Sequence, residues 1–505
     1  MIKSREKKLL IGTLMLTFFG FVGKLLGAVF KIGLTTIVGS YGIGLYQLLF
    51  PVLVFFIVFS SEGFSTALTV RQAECQEKGG AYFSLSLIGS LSVSILSFFL
   101  IVLISIYFSR IQGVKLDSRL YLIVGVGVCI VSLLSINKAR IRGMERYVAY
   151  SLFETLEDVL KVFFALILAW GLKPFGLTWS VAGVFIGVLL SSFITLIATC
   201  FYKPQNHVVK QLKLTREEKR SFYKYSLLSM AAVIVIPAVQ FIESAIVVGL
   251  LTGASMTSVT ATKLYGISRG AVSAIINLPF FLISSVEVVL LPNLSRSKEN
   301  GIYFKKTQLC LFFAVALSIP FVFAFELFSH EFIQILYSSS LTKNEMVIAS
   351  NLLRIGAIGI LFASVSSFLM IILNSNNRTI APFIANLLAG VAKIIFIIFM
   401  SHKLSIYAVE FASVLFSMIT CLINLIFAKK YGVIKVPKFV LPVIVFWAIF
   451  FILIKVVYCL LQIVITSNIL ALICAGLIVL IAASIIAVIV WVLLRKLKKH
   501  MLIKG

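Results

Sequence analysis

The sequence predicts an all-α polytopic membrane protein of about fourteen transmembrane helices, built as two parallel-repeat six-helix bundles with two further helices after them. Three observations carry that expectation. Apolar runs of spanning length follow one another along the whole chain, one spaced signature occurs twice, and the basic residues crowd into alternate connections.

Hydrophobic residues fill 61% of the 505 positions and charged residues only 12%, too little polar surface to coat a soluble globule. A bilayer crossing takes about 20 apolar residues in helix. Runs of that kind lie near 9–38, 43–66, 81–108, 120–136, 149–171, 177–201, 226–251, 262–291, 308–328, 351–373, 381–401, 406–428, 439–463 and 468–494. The first follows Met-Ile-Lys-Ser-Arg-Glu-Lys-Lys; it is too long for a signal peptide and has no small-residue cleavage site, so it is read as a retained first helix.

The repeat sets the domain plan. Arg146, Ala149, Leu156, Val159, Lys161 and Phe164 return 232 positions later as Arg378, Ala381, Leu388, Val391, Lys393 and Phe396. Glu62, Arg71 and Glu74 have the spacing of Glu287, Arg296 and Glu299, 225 positions on. Six spans separate the equivalents, so both copies cross in the same direction and the halves are parallel repeats. The predicted units are an N-terminal six-helix bundle at 1–202, a basic cytoplasmic linker at 203–224, a second bundle at 225–430, and helices thirteen and fourteen with a basic tail at 431–505.

A formal charge of +27 raises the question of nucleic acid, which the placement of the basic residues answers. Of the 45 Lys and Arg, 31 fall in the connections on the side of both termini, 7 on the other side and seven inside spans. That asymmetry places both termini in the cytoplasm and makes anionic membrane lipids, not nucleic acid, the partner of the basic surface. A bacterial cytoplasmic membrane is the expected location. A cysteine placed at Lys213 in a cysteine-free background is therefore expected to resist an impermeant thiol reagent in intact cells; its modification would refute the orientation.

Other classes have little support. Cys75, Cys129, Cys200, Cys310, Cys421, Cys459 and Cys474 are scattered through mostly apolar sequence, and His207, His330, His402 and His500 stand singly. No metal-site, phosphate-loop or dinucleotide spacing occurs, so neither an enzyme, nor a metal, nor a cofactor is expected.

Charges inside spans are the informative residues, since each costs about 3 kcal/mol on insertion scales unless it faces a partner or a cavity. Glu157 and Asp158 precede Lys161 by four and three positions, so this face can neutralise itself or serve as an ion relay. Lys393 has no such acid in its own helix. Lys24 and Lys31 lie seven apart on one helix face beside the Gly23/Gly27 step, with no acid within four positions of either. That face is read either as a cationic site for an anionic headgroup or as a packing face with Glu62 or Glu243 as distant partner. Glu243 follows Pro237, which removes a backbone hydrogen bond and permits a bend, so it is a candidate gate or ion site. Arg354 and Lys455 sit near span ends, where they can snorkel.

Short motifs along nearly the whole chain resemble the stage V sporulation protein B family. They are Gly12-Thr13, Gly-Lys-Leu-Leu-Gly at 23–27, Ile-Val-Gly-Ser-Tyr-Gly-Ile-Gly-Leu-Tyr-Gln at 37–47 and Thr-Ala-Leu-Thr-Val-Arg-Gln-Ala-Glu at 66–74, followed by Leu-Tyr-Gly-Ile-Ser-Arg-Gly at 264–270, Asn-Leu-Pro at 277–279, Leu-Pro-Asn-Leu-Ser at 291–295 and Ile-Gln-Ile-Leu-Tyr at 333–337. The resemblance implies membership of the superfamily of multidrug and toxin extrusion (MATE) antiporters, polysaccharide exporters and lipid II flippases. It also implies a central cationic cavity for the diphosphate of an undecaprenyl-linked sugar, with Lys24, Lys31 and Arg269 in the matching regions. Two positions depart from the family pattern: Ser61-Glu62-Gly63-Phe64 replaces a Gly-x-Pro, and Glu243-Ser244 replaces an acid followed by Thr. The expected function is an alternating-access flippase for a lipid-linked cell-wall or polysaccharide precursor, with Lys24, Lys31 and Arg269 on the phosphates. Glu243, Asp158, Lys161 and Lys393 are the candidates for gating or for coupling to a proton or sodium ion. A cation-coupled multidrug exporter and a non-transporting scaffold for cell-wall synthesis are the alternatives.

Overall fold

A computed structural model describes residues 2–111, 114, 116–202, 214–254, 256–280, 283, 287, 303–376, 378–434 and 440–461. The expected fourteenth helix at 468–494, the basic tail, the connection at 203–213, and Arg296 and Glu299 of the second echo lie outside the described residues. Every regular element among those described is helical, and nine helices are long and apolar enough to cross a membrane.

The chain opens with α1 (Ile2–Ile57), which breaks at Gly39, where φ is 70° and ψ −175°. Glycine enters this region without a Cβ clash. The ring of Phe30 packs edge-on against Tyr46 at 6.0 Å, whereas sixteen residues of straight helix would hold them about 24 Å apart. The chain therefore doubles back at Gly39; α1 holds the first predicted crossing and most of the second, 43–66, which runs on through Val58–Glu62 into the next helix. A π-helical turn at Val58–Glu62 leads into α2 (Gly63–Glu74), then α3 (Gly79–Ile111), α4 (Ser118–Gly143), α5 (Tyr147–Leu172) and α6 (Leu177–Phe201).

The next crossing, α7 (Arg216–Gly253), starts with a reciprocal cap: the Glu218 amide donates to Thr215 Oγ1 at 3.3 Å, and the Thr215 amide donates to Glu218 Oε2 at 2.9 Å. Two otherwise unpaired donors are satisfied there, so residues 216–224 of the predicted linker are helix. Then come α8 (Ser258–Gly266), a second π turn at Ile267–Val272, and α9 (Ser273–Ile276). The second half continues with α10 (Tyr303–Leu327), α11 (Ser329–Tyr337), α12 (Lys343–Ser375), α13 (Ile380–Leu404) and α14 (Tyr407–Lys430), with α15 (Val440–Leu461) packed on α10. The short helix α11 forms where the sequence reads as a connection. It buries Ile333 and Tyr337, and Tyr337 Oη donates to the Ala271 carbonyl at 3.1 Å, pinning α11 to the second π turn.

Polarity is inverted in α5 and α13, as expected of helices solvated by lipid. In α5, Leu152, Val159, Phe163, Ile167 and Trp170 are exposed while Glu157 is buried; in α13, Leu387, Val391, Ile395 and Phe399 are exposed while Asn386 and Lys393 are buried. Some positions of the repeated signature share their environment and some do not: Leu156 and Leu388 are exposed, as are Val159 and Val391, and Phe164 and Phe396 are half-buried, whereas Ala149 and Lys161 are half-buried and Ala381 and Lys393 buried. Packing partners correspond too. In the first half α1 packs on α5, α5 on α6, α4 on α6 and α3 on α4; in the second α7 packs on α13, α13 on α14, α12 on α14 and α10 on α12.

The two halves touch on either side of a central space. At the Gly39 end, a Cβ on Gly266 would lie 2.5 Å from the Gly44 nitrogen and the Ser40 oxygen, and Ser40 Oγ donates to Glu345 Oε1 at 2.8 Å. At the other end, Lys78 Nζ lies 2.5 Å from Glu218 Oε1, and Arg71 Nη2 donates to Ser221 Oγ at 2.9 Å.

Candidate functional site

Between the halves lies a cavity of about 500 Å³ whose wall takes residues from α1, α7, the second π turn, α12, α13 and α14. Its chemistry centres on Arg269, which the π turn carries. A π turn is rare and is found mostly at functional sites. The Arg269 guanidinium is held on three sides: Nε donates to Glu243 Oε1 at 2.5 Å, Nη2 donates to Ser413 Oγ at 2.7 Å and to the Val409 carbonyl at 3.1 Å, and Nη1 lies 3.7 Å from Glu410 Oε2. Glu410 in turn accepts from Ser268 Oγ at 3.2 Å. Gly356 makes room for it, since a Cβ there would stand 2.6 Å from Glu410 Oε1. Lys393 supplies the second cation, with Nζ 2.6 Å from Glu243 Oε2 and 5.9 Å from the centre of the Phe416 ring.

Glu243, Glu410 and Lys393 are 2%, 3% and 8% exposed, so their charges have lost nearly all contact with solvent. Charges at this depth persist when paired and hydrogen-bonded. Two carboxylates face two cations with no formal charge left over; Arg269 meets its partners by hydrogen bonds, and Lys393 meets Glu243 Oε2 as an ion pair without hydrogen-bond geometry. The partner that Lys393 lacks in its own helix is Glu243, which comes from α7 past Pro237.

Lys31 enters the same cavity from α1 and donates to Ser273 Oγ at 3.3 Å; Ser273 Oγ donates onward to the Arg269 carbonyl. Among the described residues no carboxylate lies within 4.0 Å of Lys31 Nζ. Gln47, also from α1 and on the cavity wall, is 4% exposed, and its amide nitrogen has no hydrogen-bond partner among the described residues. A buried donor left unmatched costs about 1–3 kcal/mol, which a ligand acceptor would recover.

Asp158 and Lys161 belong to a second polar locus, in the first half. Lys161 Nζ lies 3.0 Å from Asp158 Oδ1 and 4.0 Å from Glu157 Oε1. Glu157 also receives Lys138 Nζ at 2.8 Å and Ser192 Oγ at 3.1 Å, which joins α4, α5 and α6. Gly23 admits the Asp158 carboxylate, which a Cβ at that position would strike, whereas a Cβ at Gly27 would meet nothing within 4 Å. Only one glycine of the Gly23/Gly27 step therefore serves a close approach. The Lys24 side chain lies outside the described residues.

Of the sequence candidates, Lys31, Arg269, Glu243 and Lys393 come together on one cavity, and Asp158 and Lys161 stand apart from it. Arg354 and Lys455 bind locally: Arg354 Nε donates to Ser329 Oγ at 2.8 Å, and Lys455 Nζ lies 3.2 Å from Glu331 Oε1. Glu410, Gln47, Ser273 and Ser413 are site residues that sequence reasoning did not single out. Glu410 carries a signal as an acid inside a span, and Gln47 closes the motif at 37–47. The two serines carry none. Among the described residues no three His, Cys, Asp or Glu side chains group as a metal site.

Comparison with known proteins follows this geometry. The family described as polysaccharide biosynthesis protein matches residues 9–298, more than half of the chain. Stage V sporulation protein B of Bacillus subtilis (strain 168) is 24% identical over 362 residues, covering 66% of this chain and 68% of that protein. Lipid II flippase MurJ in an inward closed conformation superposes with a TM-score of 0.69 at 17% identity, covering 92% of this chain and 97% of that one. A MATE family multidrug resistance transporter in its inward-facing conformation gives 0.65 at 14% identity, covering 81% of this chain and 94% of that one. A MOP superfamily transporter from Pyrococcus furiosus gives 0.59 at 13% identity, with 83% and 95% covered. At such identities the structural likeness speaks for the fold. With the family match, it shows that the chain belongs to the polysaccharide biosynthesis protein family and has the fold of MOP superfamily transporters and flippases.

Proposed function

We propose that the protein is an alternating-access flippase that carries an undecaprenyl-diphosphate-linked cell-wall or polysaccharide precursor from the cytoplasmic to the external leaflet of the bacterial cytoplasmic membrane. In this reading residues 1–202 and 225–430 are the two moving halves, and both termini are cytoplasmic. The observation that carries it is the α1 wall of the cavity. Lys31 offers an ammonium not paired with any carboxylate among the described residues, and Gln47 offers an unmatched amide donor to the same space. A phosphate beside a sugar supplies what these two groups lack: negative charge for one and acceptor oxygens for the other.

Lys24, seven positions before Lys31 on α1, is assigned to the same headgroup. Arg269 is assigned a different part. Its donors already serve Glu243, Ser413 and Val409, so it positions the network instead of gripping phosphate. The lipid tail stays in the membrane between helices. The multidrug alternative needs a carboxylate open to a cationic cargo, and Glu243 lies against two protein cations.

The test is a flipping assay on purified protein in liposomes. Fluorescent undecaprenyl-diphosphate-linked sugar is expected to change leaflets, while the same sugar on a neutral lipid is not. Equal movement of both, or of neither, would end this reading.

A further inference from the structure

Lys393 stands where a bound ligand would. Its ammonium rests against one carboxylate oxygen of Glu243 at 2.6 Å and over the Phe416 ring at 5.9 Å, on the wall of the central cavity. A carboxylate and an aromatic face together are the chemistry that recognises an organic cation. The stem reaches this place from α13, whose neighbouring Gly390 admits Val239 of α7 closely: a Cβ at Gly390 would lie 2.5 Å from Val239 Cγ2. Its repeat equivalent, Lys161, is instead satisfied inside α5 by Asp158. Ion pairing within the helix is thus available to this position of the repeat, and the chain uses a cross-helix pair only in the second half.

We propose that Lys393 is a built-in ligand filling an organic-cation subsite made by Glu243 and Phe416, and that this occupancy sets the cavity's selectivity against free cations. Tethering presents the ammonium at an effective concentration that a free amine does not match, so the subsite stays closed to exogenous cargo. Lysine suits the part because it is a compact charge on a four-carbon stem. Butylammonium is that side chain cut free of the backbone. The inference shares its cavity with the flippase reading but not its ligand.

The experiment measures thermal unfolding of the purified protein in detergent against butylammonium, with sodium as the comparison cation. Wild type is expected not to respond to butylammonium. Lys393→Ala should be stabilised saturably, with apparent affinity at least about tenfold above wild type, near 1.4 kcal/mol. Glu243→Gln added to Lys393→Ala should abolish that gain, and Lys393→Gln, which refills the space without charge, should not show it. Should Lys393→Ala fail to fold alone, it is produced with butylammonium or with sodium throughout. Recovery of folded protein with butylammonium only supports the proposal, and recovery with neither overturns it. Equal stabilisation of wild type, equal effects of sodium and butylammonium, or a gain that survives Glu243→Gln would also overturn it. Failure of lipid flipping alongside an intact butylammonium response would sink the flippase reading alone, and the reverse pair of results would sink only this one.

Discussion

Replacing Arg269 by alanine is expected to destabilise the protein by about 3–5 kcal/mol, the usual cost of removing one partner from a buried ion pair. Two carboxylates lean on this guanidinium, Glu243 at 2.5 Å and Glu410 at 3.7 Å, and both are almost fully buried. Without it Glu243 would keep Lys393, and Glu410 would lose the cation that lies within 4.0 Å of it among the described residues. Neutral hydrogen bonds between membrane helices are worth little, about 0.6 kcal/mol on average, so the stranded charge decides the magnitude. Arg269→Lys keeps the charge but loses the planar fork that reaches Glu243, Ser413 and the Val409 carbonyl together, so its cost should fall between wild type and alanine. Removing an acid with the arginine, as in Arg269→Ala with Glu243→Gln, should recover part of the loss. Unfolding in detergent followed by tryptophan fluorescence gives the ranking, and an Arg269→Ala protein as stable as wild type would refute the network.

Lys31→Ala should leave stability nearly unchanged while weakening headgroup binding by about 1.5–3 kcal/mol, roughly tenfold to a hundredfold. The contrast with Arg269 follows from their partners: among the described residues Lys31 has a single hydroxyl at 3.3 Å and no carboxylate to strand. Lys31→Arg should retain more activity than Lys31→Ala, although a fork does not replace a point charge perfectly. Concentration dependence of flipping in liposomes reads the effect, and a normally inserted Lys31→Ala protein with wild-type transport would end the phosphate assignment. Glu243→Gln offers the opposing result, since a drug exporter would lose transport there and tolerate the loss of Lys31.

Much of the helical membrane fold is legible in the sequence because lipid imposes long apolar runs with few breaks. Gly39 falls in the gap between the first two expected crossings, and the repeated signature locates α5 and α13, whose exposed Val159 and Val391 share an environment. What escaped prediction depends on packing between distant segments. Nothing local marks Ile267–Val272 as a π turn, because it is packed between α1 on one side and α12 on the other. The short helix α11 is too brief for a span and is held by Tyr337 on Ala271. In the site, Lys393 announces the need for a partner but not its identity, for Glu243 lies 150 positions earlier in the chain. Arg269 reads as a phosphate ligand by motif, and the motif does not show that Glu410, Ser413 and Val409 gather around it.

The balance of charges on the cavity wall has an electrical consequence. Lys31, Arg269 and Lys393 face Glu243 and Glu410, a formal excess of one positive charge among the described residues. Lys24, assigned to the same headgroup, would raise that excess to two, and a bound diphosphate diester, bearing about two negative charges, would cancel it. Under a membrane potential, negative inside, the vacant cationic site would be driven inward by up to about 2.3 kcal/mol per charge per 100 mV, while the neutral loaded site would cross without electrical work. Voltage would then act on the return of the empty carrier and not on the cargo.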